Sequence, residues 1–386
     1  MSTVKVFLGT GILGVPFAFR QCGWLLTFLS FFFSCFFSGY SIIALQAVPS
    51  MLEVEISPTI AGITKLMYGR SGELIANAII LIFQSSCCAS YILFVSNTLE
   101  LLIPSIPQQL WCVFIVLLVL CFSFIRSPRI VGTLSAIANL ALLLALVLIA
   151  VGITISPLEG TTELANFSNF ASSIGIPLFA FGGIGALSPI VTSLNPKYSF
   201  SSLLTVALLC VLVAYLSFGS VCYAQCGNLT PNAIQSAIAA DLKWVSIPAS
   251  ILLVFSITFT ITLAAAPVFQ LVSSAATLTP DAGHHPLFTF VFTSFSRLFL
   301  LCFFALPSFT PLRSHFPLVI SFVGCTAGAT LSFLLPIIVH LGASTSRKKV
   351  KKMIFDIIIL ILIIPLLIFA NIGVIKSIFQ VCTCQT

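Results

Sequence analysis

The chain has 386 residues, of which 59% are hydrophobic and only 6% are charged. A soluble domain carries roughly 25% charged residues, so the composition excludes a soluble globular protein of this size. The net charge of +7 does not indicate a nucleic-acid partner, because five of the 16 basic residues form one run at 347–352 between apolar segments. Such a run is typical of a cytoplasmic loop, and an anionic-lipid site is the alternative.

Eleven apolar segments follow one another along the chain, most of them near the length that crosses a bilayer. Segments such as 140–151 do not alternate between polar and apolar residues, which favours helices over barrel strands. The predicted spans, numbered 1 to 11 in chain order, are 4–19, 24–48, 74–99, 110–125, 131–155, 171–193, 201–224, 244–272, 287–309, 316–341 and 354–379. The fold class is therefore all-α integral membrane, with a single transmembrane domain over 1–386.

The distribution of charge predicts a cytoplasmic N-terminus. A cleaved signal peptide is not expected, because Pro16 and Arg20 interrupt the first apolar stretch. In this orientation the sequons at Asn166 and Asn228 lie outside. The inside loops then carry most of the basic residues: Lys65, Arg70, Arg126, Arg129, Lys197 and the run at 347–352.

Span 1 contains a G-x-G-x-x-G sequence, formed by residues 9–14. A dinucleotide-binding loop would need a preceding strand and an acidic residue about 20 residues further on. Here Pro16 follows at once and the next acidic residue is Glu53. Three glycines and a proline weaken a helix, and the freed backbone groups must face protein or a water-filled cavity. The sequence therefore predicts a broken membrane helix with a binding site at the break.

A second segment rich in glycine and proline, residues 175–189, begins the second half of the chain in span 6. Interrupted spans at corresponding positions predict a five-plus-five inverted repeat. Repeat one covers about 1–155, repeat two about 171–341, and an extra helix about 354–379. The alternative is that these glycines only allow close helix packing, as Gly324 and Gly328 of span 10 are expected to do.

Several segments resemble the amino acid/auxin permease family. These are KVFLGTGILGVPFAFRQCGW at 5–24, QSSCCASYILFVSNTL at 84–99, FAFGGIGALSPI at 179–190 and FPLVISFVGCTAGATLSFLLPIIVHL at 316–341. The resemblance extends over most of the chain and is most specific in span 1. It implies a leucine-transporter-type fold with eleven spans and amino acid transport.

The resemblance also implies a substrate site between the breaks of spans 1 and 6. Backbone amides near the span 1 break would bind the α-carboxylate, carbonyls near both breaks, including those of Leu8 and Ala180, would bind the α-amino group, and span 6 would surround the side chain. The predicted substrate-binding residues are Gly9, Thr10, Gly11, Ile12, Leu13, Gly14, Phe179, Phe181, Gly182, Gly183 and Ile184. For Phe181, ordinary core packing is the alternative.

The resemblance further implies a cation site at which the span 8 hydroxyls of Thr258, Thr260 and Thr262 join backbone carbonyls near Thr10 and Gly11. The alternative is that each hydroxyl bonds to its own helix one turn back. The coupling ion, H⁺ or Na⁺, is left open, because no acidic residue is expected in the middle of a span. Arg297 is expected to extend toward the cytoplasmic end of span 9.

Other classes of function find less support in the sequence. An enzyme is not expected, because the four histidines lie near span ends with no acidic residue predicted beside them. No metal-ligand spacing, cofactor motif or channel filter is present. The predicted function is an ion-coupled secondary transporter of small or medium neutral amino acids, acting as a monomer in a vacuolar, lysosomal or plasma membrane. An amino-acid sensor of the same fold is the alternative.

Overall fold

The computed structural model describes residues 9–54, 59–124, 128–182, 199–239, 241–277, 286–347 and 349–384. Helices and short connections make up this part of the chain, and no strand occurs within these ranges. Large apolar side chains are exposed along many helices, for example Phe32, Phe33 and Phe36. Exposure on this scale is what a helix surface facing lipid requires, and the all-helical membrane fold class is confirmed.

Each of the eleven predicted spans coincides, over its described residues, with an apolar helical segment. Seven helices among the described residues are long and apolar enough to cross a membrane, and the first, Gly11–Leu52, contains most of the described part of span 1 and the whole of span 2. Three shorter apolar helices, Gln108–Phe122, Phe170–Ala180 and Ser294–Phe309, stand where spans 4, 6 and 9 are predicted. The other spans are Ile60–Leu102 for span 3, Pro128–Ile155 for span 5, Phe200–Cys226 for span 7, Lys243–Thr277 for span 8, Phe316–Ser346 for span 10 and Val350–Cys384 for span 11.

Gly23 separates span 1 from span 2, because its φ of 75° interrupts the helix. A Cβ atom there would stand 2.6 Å from the carbonyl oxygen of Glu163, so only glycine fits both the conformation and the space. The loop after span 5 runs alongside this turn, and the Trp24 amide donates to the Glu163 carbonyl over 3.1 Å. A second break, at Gly69 with φ 66°, divides Ile60–Leu102 into a short helix and span 3.

The most extensive contacts between spans fall into two groups, one around span 8 and one around span 7. Span 8 lies against spans 3 and 5, while spans 1 and 2 lie against span 7. Span 10 contacts spans 2, 3 and 6, and span 11 lies on the outside against spans 6 and 10. Burial reflects this arrangement, since 72% of the most apolar window of span 10 is buried and only 28% of that of span 11.

Span 10 departs from α-helical geometry where it meets span 6. The segments Gly324–Gly328 and Thr330–Leu334 are wound as π-helix, a geometry that is frequent at functional sites. A Cβ atom at Gly324 would collide with the Gly175 carbonyl oxygen and stand 2.8 Å from the Phe179 amide nitrogen, so the two backbones are in direct contact. The prediction that Gly324 serves close packing therefore agrees with its surroundings.

Candidate functional site

The helix of span 1 begins in the interior of the protein. Gly9 is extended, with φ −114° and ψ −164°, and the 3₁₀ turn Thr10–Gly14 then leads into the α-helix at Val15. The first amide bonded within this helix is that of Ile12, which donates to the Gly9 carbonyl. The amides of Thr10 and Gly11 precede this bond and so have no partner inside their own helix. The positive end of the helix dipole lies at this point.

The described part of span 6 is a half-helix that ends in the interior as well. Its two segments are Phe170–Ser173 and Gly175–Ala180, and helical geometry stops at Phe181. The Phe181 amide donates to the Pro177 carbonyl over 3.1 Å, and the Gly182 amide to that of Phe179 over 3.0 Å. The negative end of this dipole, with its last carbonyl groups, therefore lies near Ala180.

The two helix ends lie side by side. A Cβ atom at Gly11 would stand 3.0 Å from Ala180 Cα and 3.1 Å from Ala180 Cβ. One at Gly14 would stand 3.2 Å from a side-chain carbon of Ile176. This closeness changes the role predicted for Gly11, whose missing side chain leaves room for span 6. The backbone groups at the two ends can still face a ligand.

The predicted substrate-binding residues of span 6 have different surroundings. Phe179 packs against the rings of Phe83 and Tyr91 from span 3. Phe181 is fully buried between Phe31 and Tyr215, as the core-packing alternative expects. Gly182 lies close to the Phe83 ring. Leu8, Gly183 and Ile184, and the side chain of Thr10, lie outside the described residues.

Ile12 and Leu13 are buried, with 2% of each exposed. Their side chains belong to the hydrophobic core that also contains Phe19 and Phe181. Only the backbone groups of these two residues can therefore contact a substrate, as predicted. The Leu13 and Gly14 amides lie within the 3₁₀ turn, so Thr10 and Gly11 remain the best placed amide donors.

Two neighbouring spans support the breaks through groups that the sequence did not indicate. Tyr215 of span 7 is fully buried and is hydrogen-bonded to the backbone of Gly9. The Ser38 hydroxyl of span 2 donates to the Phe181 carbonyl over 3.0 Å. These two bonds fix the backbone on either side of the candidate site. No motif marks Tyr215 or Ser38, because each contact joins residues far apart in the chain.

The threonines of span 8 all bond to their own helix. The hydroxyls of Thr258, Thr260 and Thr262 donate to the carbonyls of Val254, Ser256 and Thr258 over 2.7, 3.0 and 3.3 Å. This agrees with the alternative of bonding one turn back along the helix. Their oxygens keep lone pairs, so a cation role stays a prediction.

The chemistry of the two opposed helix ends suits a zwitterion. Unpaired amides at a positive helix end attract a carboxylate, while carbonyls at a negative end accept from an ammonium group. A family model described as "Transmembrane amino acid transporter protein" matches residues 1–379.

The chain belongs to the transmembrane amino acid transporter family.

Relatives of this transporter agree with that assignment. "Amino acid transporter AVT3B" of Arabidopsis thaliana is 24% identical over 97% of this chain and 91% of its own length. "Amino acid transporter ANT1" of the same plant is 25% identical over 97% of this chain and 90% of its own length. "Vacuolar amino acid transporter 3" of Saccharomyces cerevisiae is 27% identical over 58% of this chain and 34% of its own length. The resemblance found in span 1 is confirmed, and the family is one of transporters rather than enzymes.

The transporter has a polar cavity of about 560 Å³ at the ends of spans 1, 6, 10 and 11 opposite the basic run. Arg20 lies in its wall and donates to the Thr230 carbonyl and, over 3.0 Å, to Asn232 Oδ1. His315, between spans 9 and 10, also lines this cavity. Burial first, and then the Arg20 charge, lower the pKa of His315 below its usual value. The Arg20 charge thus faces the cavity and would stabilise a carboxylate there, while His315 offers a neutral ring.

Arg297 lies where span 9 meets the end of span 4. Its guanidinium donates to the Ser123 carbonyl over 2.8 Å and faces the rings of Phe124 and Phe269. A cation at the carbonyl end of a helix is favourable. Span 4 ends on the side of the basic run, so this position agrees with the predicted extension toward that side.

One expectation about acidic residues is wrong. The sequence predicted no acidic partner beside a histidine. In the structure, Asp356, near the start of span 11, is fully buried and pairs with His340 near the end of span 10. The pair was missed because the two residues lie on different helices, and only the packing of span 11 against span 10 brings them together.

The described cysteines of spans 7 and 11 form no disulfide. Cys222 and Cys226 are buried free thiols, and Cys382 is a partly exposed free thiol. The side chain of Cys384 lies outside the described residues. Cys222 and Cys226 lie one turn apart on span 7, where they serve as apolar core residues.

Proposed function

We propose that this protein is a secondary active transporter of small or medium neutral amino acids that works by alternating access and is driven by an H⁺ or Na⁺ gradient. The observation that carries the proposal is the meeting of the span 1 and span 6 helix ends at Gly11 and Ala180. The positive end of one helix and the negative end of the other lie side by side and match the carboxylate and the ammonium group of an amino acid. Neither helix end alone could bind both charges.

The preference for a neutral side chain rests on the surroundings of the two breaks. The residues around them are aromatic, aliphatic or glycine, including Phe83, Tyr91 and Phe179. A charged substrate side chain would need a buried counter-charge. No acidic or basic residue lies in the described segments 9–19 and 170–182, so an apolar side chain is favoured.

The pattern of helix packing supports a five-plus-five inverted repeat as the basis of alternating access. In such a repeat each of spans 1 to 5 corresponds to the span five places later, so span 5 corresponds to span 10 and span 3 to span 8. The contact of span 5 with span 8 then corresponds to the contact of span 10 with span 3. Both pairs are in contact. The contacts of span 10 with span 2 and of span 5 with span 7 correspond in the same way. Repeats about 1–155 and 171–341 with span 11 added are therefore proposed.

We place the basic run at 347–352 in the cytoplasm and the protein in a vacuolar membrane. Support comes from the charge bias between loops and from yeast relatives whose names describe vacuolar transporters. Lys351 is exposed, so a single cysteine introduced there reports sidedness. A membrane-impermeant maleimide should label it only from the cytoplasmic face, and labelling from the other face would reverse this orientation.

Transport is tested with purified protein in liposomes and a panel of radiolabelled alanine, serine, leucine, lysine and glutamate. A pH gradient and a Na⁺ gradient are imposed separately. We expect gradient-driven accumulation of neutral amino acids and little of lysine or glutamate. Saturable binding without uptake under either gradient would indicate the sensor function instead. Absence of both binding and uptake for the whole panel would contradict the proposed substrate class.

A further inference from the structure

Polar side chains of spans 2 and 10 both contact the Asp356 carboxylate of span 11. The Tyr40 hydroxyl of span 2 donates to Oδ1, and His340 Nδ1 of span 10 lies 2.7 Å from Oδ2. Asp356 is 0% exposed and His340 is 3% exposed. With a rise of 1.5 Å per residue, Asp356 lies about 9 Å inside its helix, counted from Val350. The cluster is therefore enclosed, but only a short distance from the side of the basic run.

The charged groups of the surrounding elements are directed elsewhere. Lys65 and Glu73 pair with each other over 2.8 Å on span 3 and the helix before it, and Arg347 lies 3.6 Å from Glu53. The described half-helix of span 6 carries no titratable side chain of its own. Among the other described groups on the side of the basic run, Tyr68 donates to the Ile338 carbonyl, and the basic side chains are exposed: Arg70, Lys349, Lys351 and Lys352.

The charge of the enclosed cluster therefore depends on one proton. With Asp356 ionised, a carboxylate can only accept, so Tyr40 O–H and His340 Nδ1–H both donate to it. His340 Nε2 then holds a lone pair, and the cluster carries one net negative charge. A proton added to Nε2 gives an imidazolium–carboxylate pair without net charge. Binding of that proton therefore removes the net charge of the buried cluster.

We infer that Tyr40, His340 and Asp356 form a proton-binding site that makes this transporter respond to H⁺. The inference rests on the proposed function for the link to transport, but the binding of the proton itself does not. In the bound state the proton resides on the His340–Asp356 pair, and on release it leaves to water on the side of the basic run. No other co-reactant is needed.

The position of the cluster connects it with the candidate substrate site. Tyr40 lies two residues after Ser38, whose hydroxyl bonds to the Phe181 carbonyl at the end of the span 6 half-helix. On the other side, span 10 touches the same half-helix where Gly324 meets Gly175. Gain or loss of a buried charge changes the strength of the interactions that hold spans 2, 10 and 11 together. Spans 2 and 10 both contact the span 6 half-helix, so a change in these interactions can be transmitted to it.

The first test uses the whole transporter in liposomes containing a pH-sensitive dye. Asp356→Asn keeps the size of the side chain but removes the negative charge that stabilises the proton bound at His340. It should keep exchange of unlabelled for radiolabelled amino acid at zero pH gradient, while proton movement coupled to uptake falls at least tenfold. Ser344→Ala is the matched control, because Ser344 lies one turn further along span 10 and its buried hydroxyl has no hydrogen-bond partner among the described residues. It should behave as wild type in both assays.

Unchanged proton movement per amino acid in Asp356→Asn would overturn the inference. If the wild-type protein neither exchanges nor accumulates any amino acid, the proposed function fails and the proton site is tested separately. For that purpose, pH-difference infrared spectroscopy of the purified protein should show an imidazole signal together with a perturbed carboxylate band, and Asp356→Asn should remove the carboxylate band and move the imidazole signal to a different pH. A spectrum identical to that of the wild type would exclude a titrating site here.

A second variant covers the case in which Asp356→Asn does not fold. Tyr40→Phe removes one hydrogen bond to the ionised carboxylate and leaves both titrating groups in place. The Tyr40 hydroxyl donates to the carboxylate in both states, but it stabilises the net negative, proton-free cluster more than the neutral ion pair. Its loss should therefore move the midpoint of the pH profile of uptake to higher pH, by up to about one unit, which is a tenfold change in proton affinity. The same profile as that of wild type, or a shift to lower pH, would contradict the site.

Discussion

The contact between Gly11 and Ala180 can be tested by adding one methyl group. In Gly11→Ala the new Cβ would stand 3.0 Å from Ala180 Cα and 3.1 Å from Ala180 Cβ, several tenths of an ångström closer than ordinary carbon contacts. Overpacking of this kind costs about 1–3 kcal/mol. If the cost falls only on the state in which the two helix ends touch, the population of that state drops by about 5- to 150-fold.

Uptake of radiolabelled amino acid at equal amounts of reconstituted protein measures this effect. We expect the initial rate in Gly11→Ala to fall by about that factor, and Gly11→Val to be less active still because two further methyl groups are added. The double variant with Ala180→Gly should recover part of the rate, because it removes the atom at 3.1 Å but not the one at 3.0 Å. A thermal unfolding scan run in parallel separates loss of activity from loss of folded protein.

Gly132→Ala is the matched control, because Gly132 lies on span 5 and a Cβ atom added there would have no described atom within 4 Å. This variant should transport like wild type. A Gly11→Ala protein that is well folded and takes up amino acid at the wild-type rate would refute the reasoning. The two helix ends would then not need to touch in any state of the cycle, and the proposed site would lose its main support.

Three other contacts can each be tested by one substitution. Gly324→Ala should greatly reduce the yield of folded protein in fluorescence-detected size-exclusion chromatography, since its Cβ would collide with the Gly175 carbonyl oxygen; a normal yield would contradict the contact. Tyr215→Phe loses the bond to Gly9 and should weaken apparent substrate affinity by about fivefold, for a loss of roughly 1 kcal/mol. An unchanged KM would be the opposing result. The pKa of His315, measured by histidine hydrogen–deuterium exchange, should lie below its usual value, so the ring should become protonated only at a lower pH than an ordinary histidine. Arg20→Gln should raise that pKa only in part, because burial is the larger cause. No change in the pKa would exclude an effect of Arg20.

Local chemistry explains how much of the fold could be predicted. A run of apolar residues near 20 long has to be a membrane helix whatever its neighbours are, and the described helices stand where the eleven spans are predicted. Glycine and proline weaken a helix through their own backbones. The interruption of helical geometry at Gly9 in span 1 and at Phe181 in span 6 could therefore be predicted from residues 9–16 and 175–182. Family membership, too, was visible in the residues around the first break.

The contacts between side chains of different spans could not be predicted from the sequence, because the residues in contact are far apart in the chain. Phe181 looks the same in sequence whether it faces a substrate or packs between Phe31 and Tyr215. Tyr40 and Asp356 are 316 residues apart, and only the packing of span 11 against span 10 brings Asp356 to His340. A carboxylate near the start of an apolar segment can equally well reach the membrane surface. The sequence by itself thus determined a membrane transporter with two weakened helices, while the tertiary structure alone decided which polar groups are buried together, since burial depends on neighbours that no local pattern encodes.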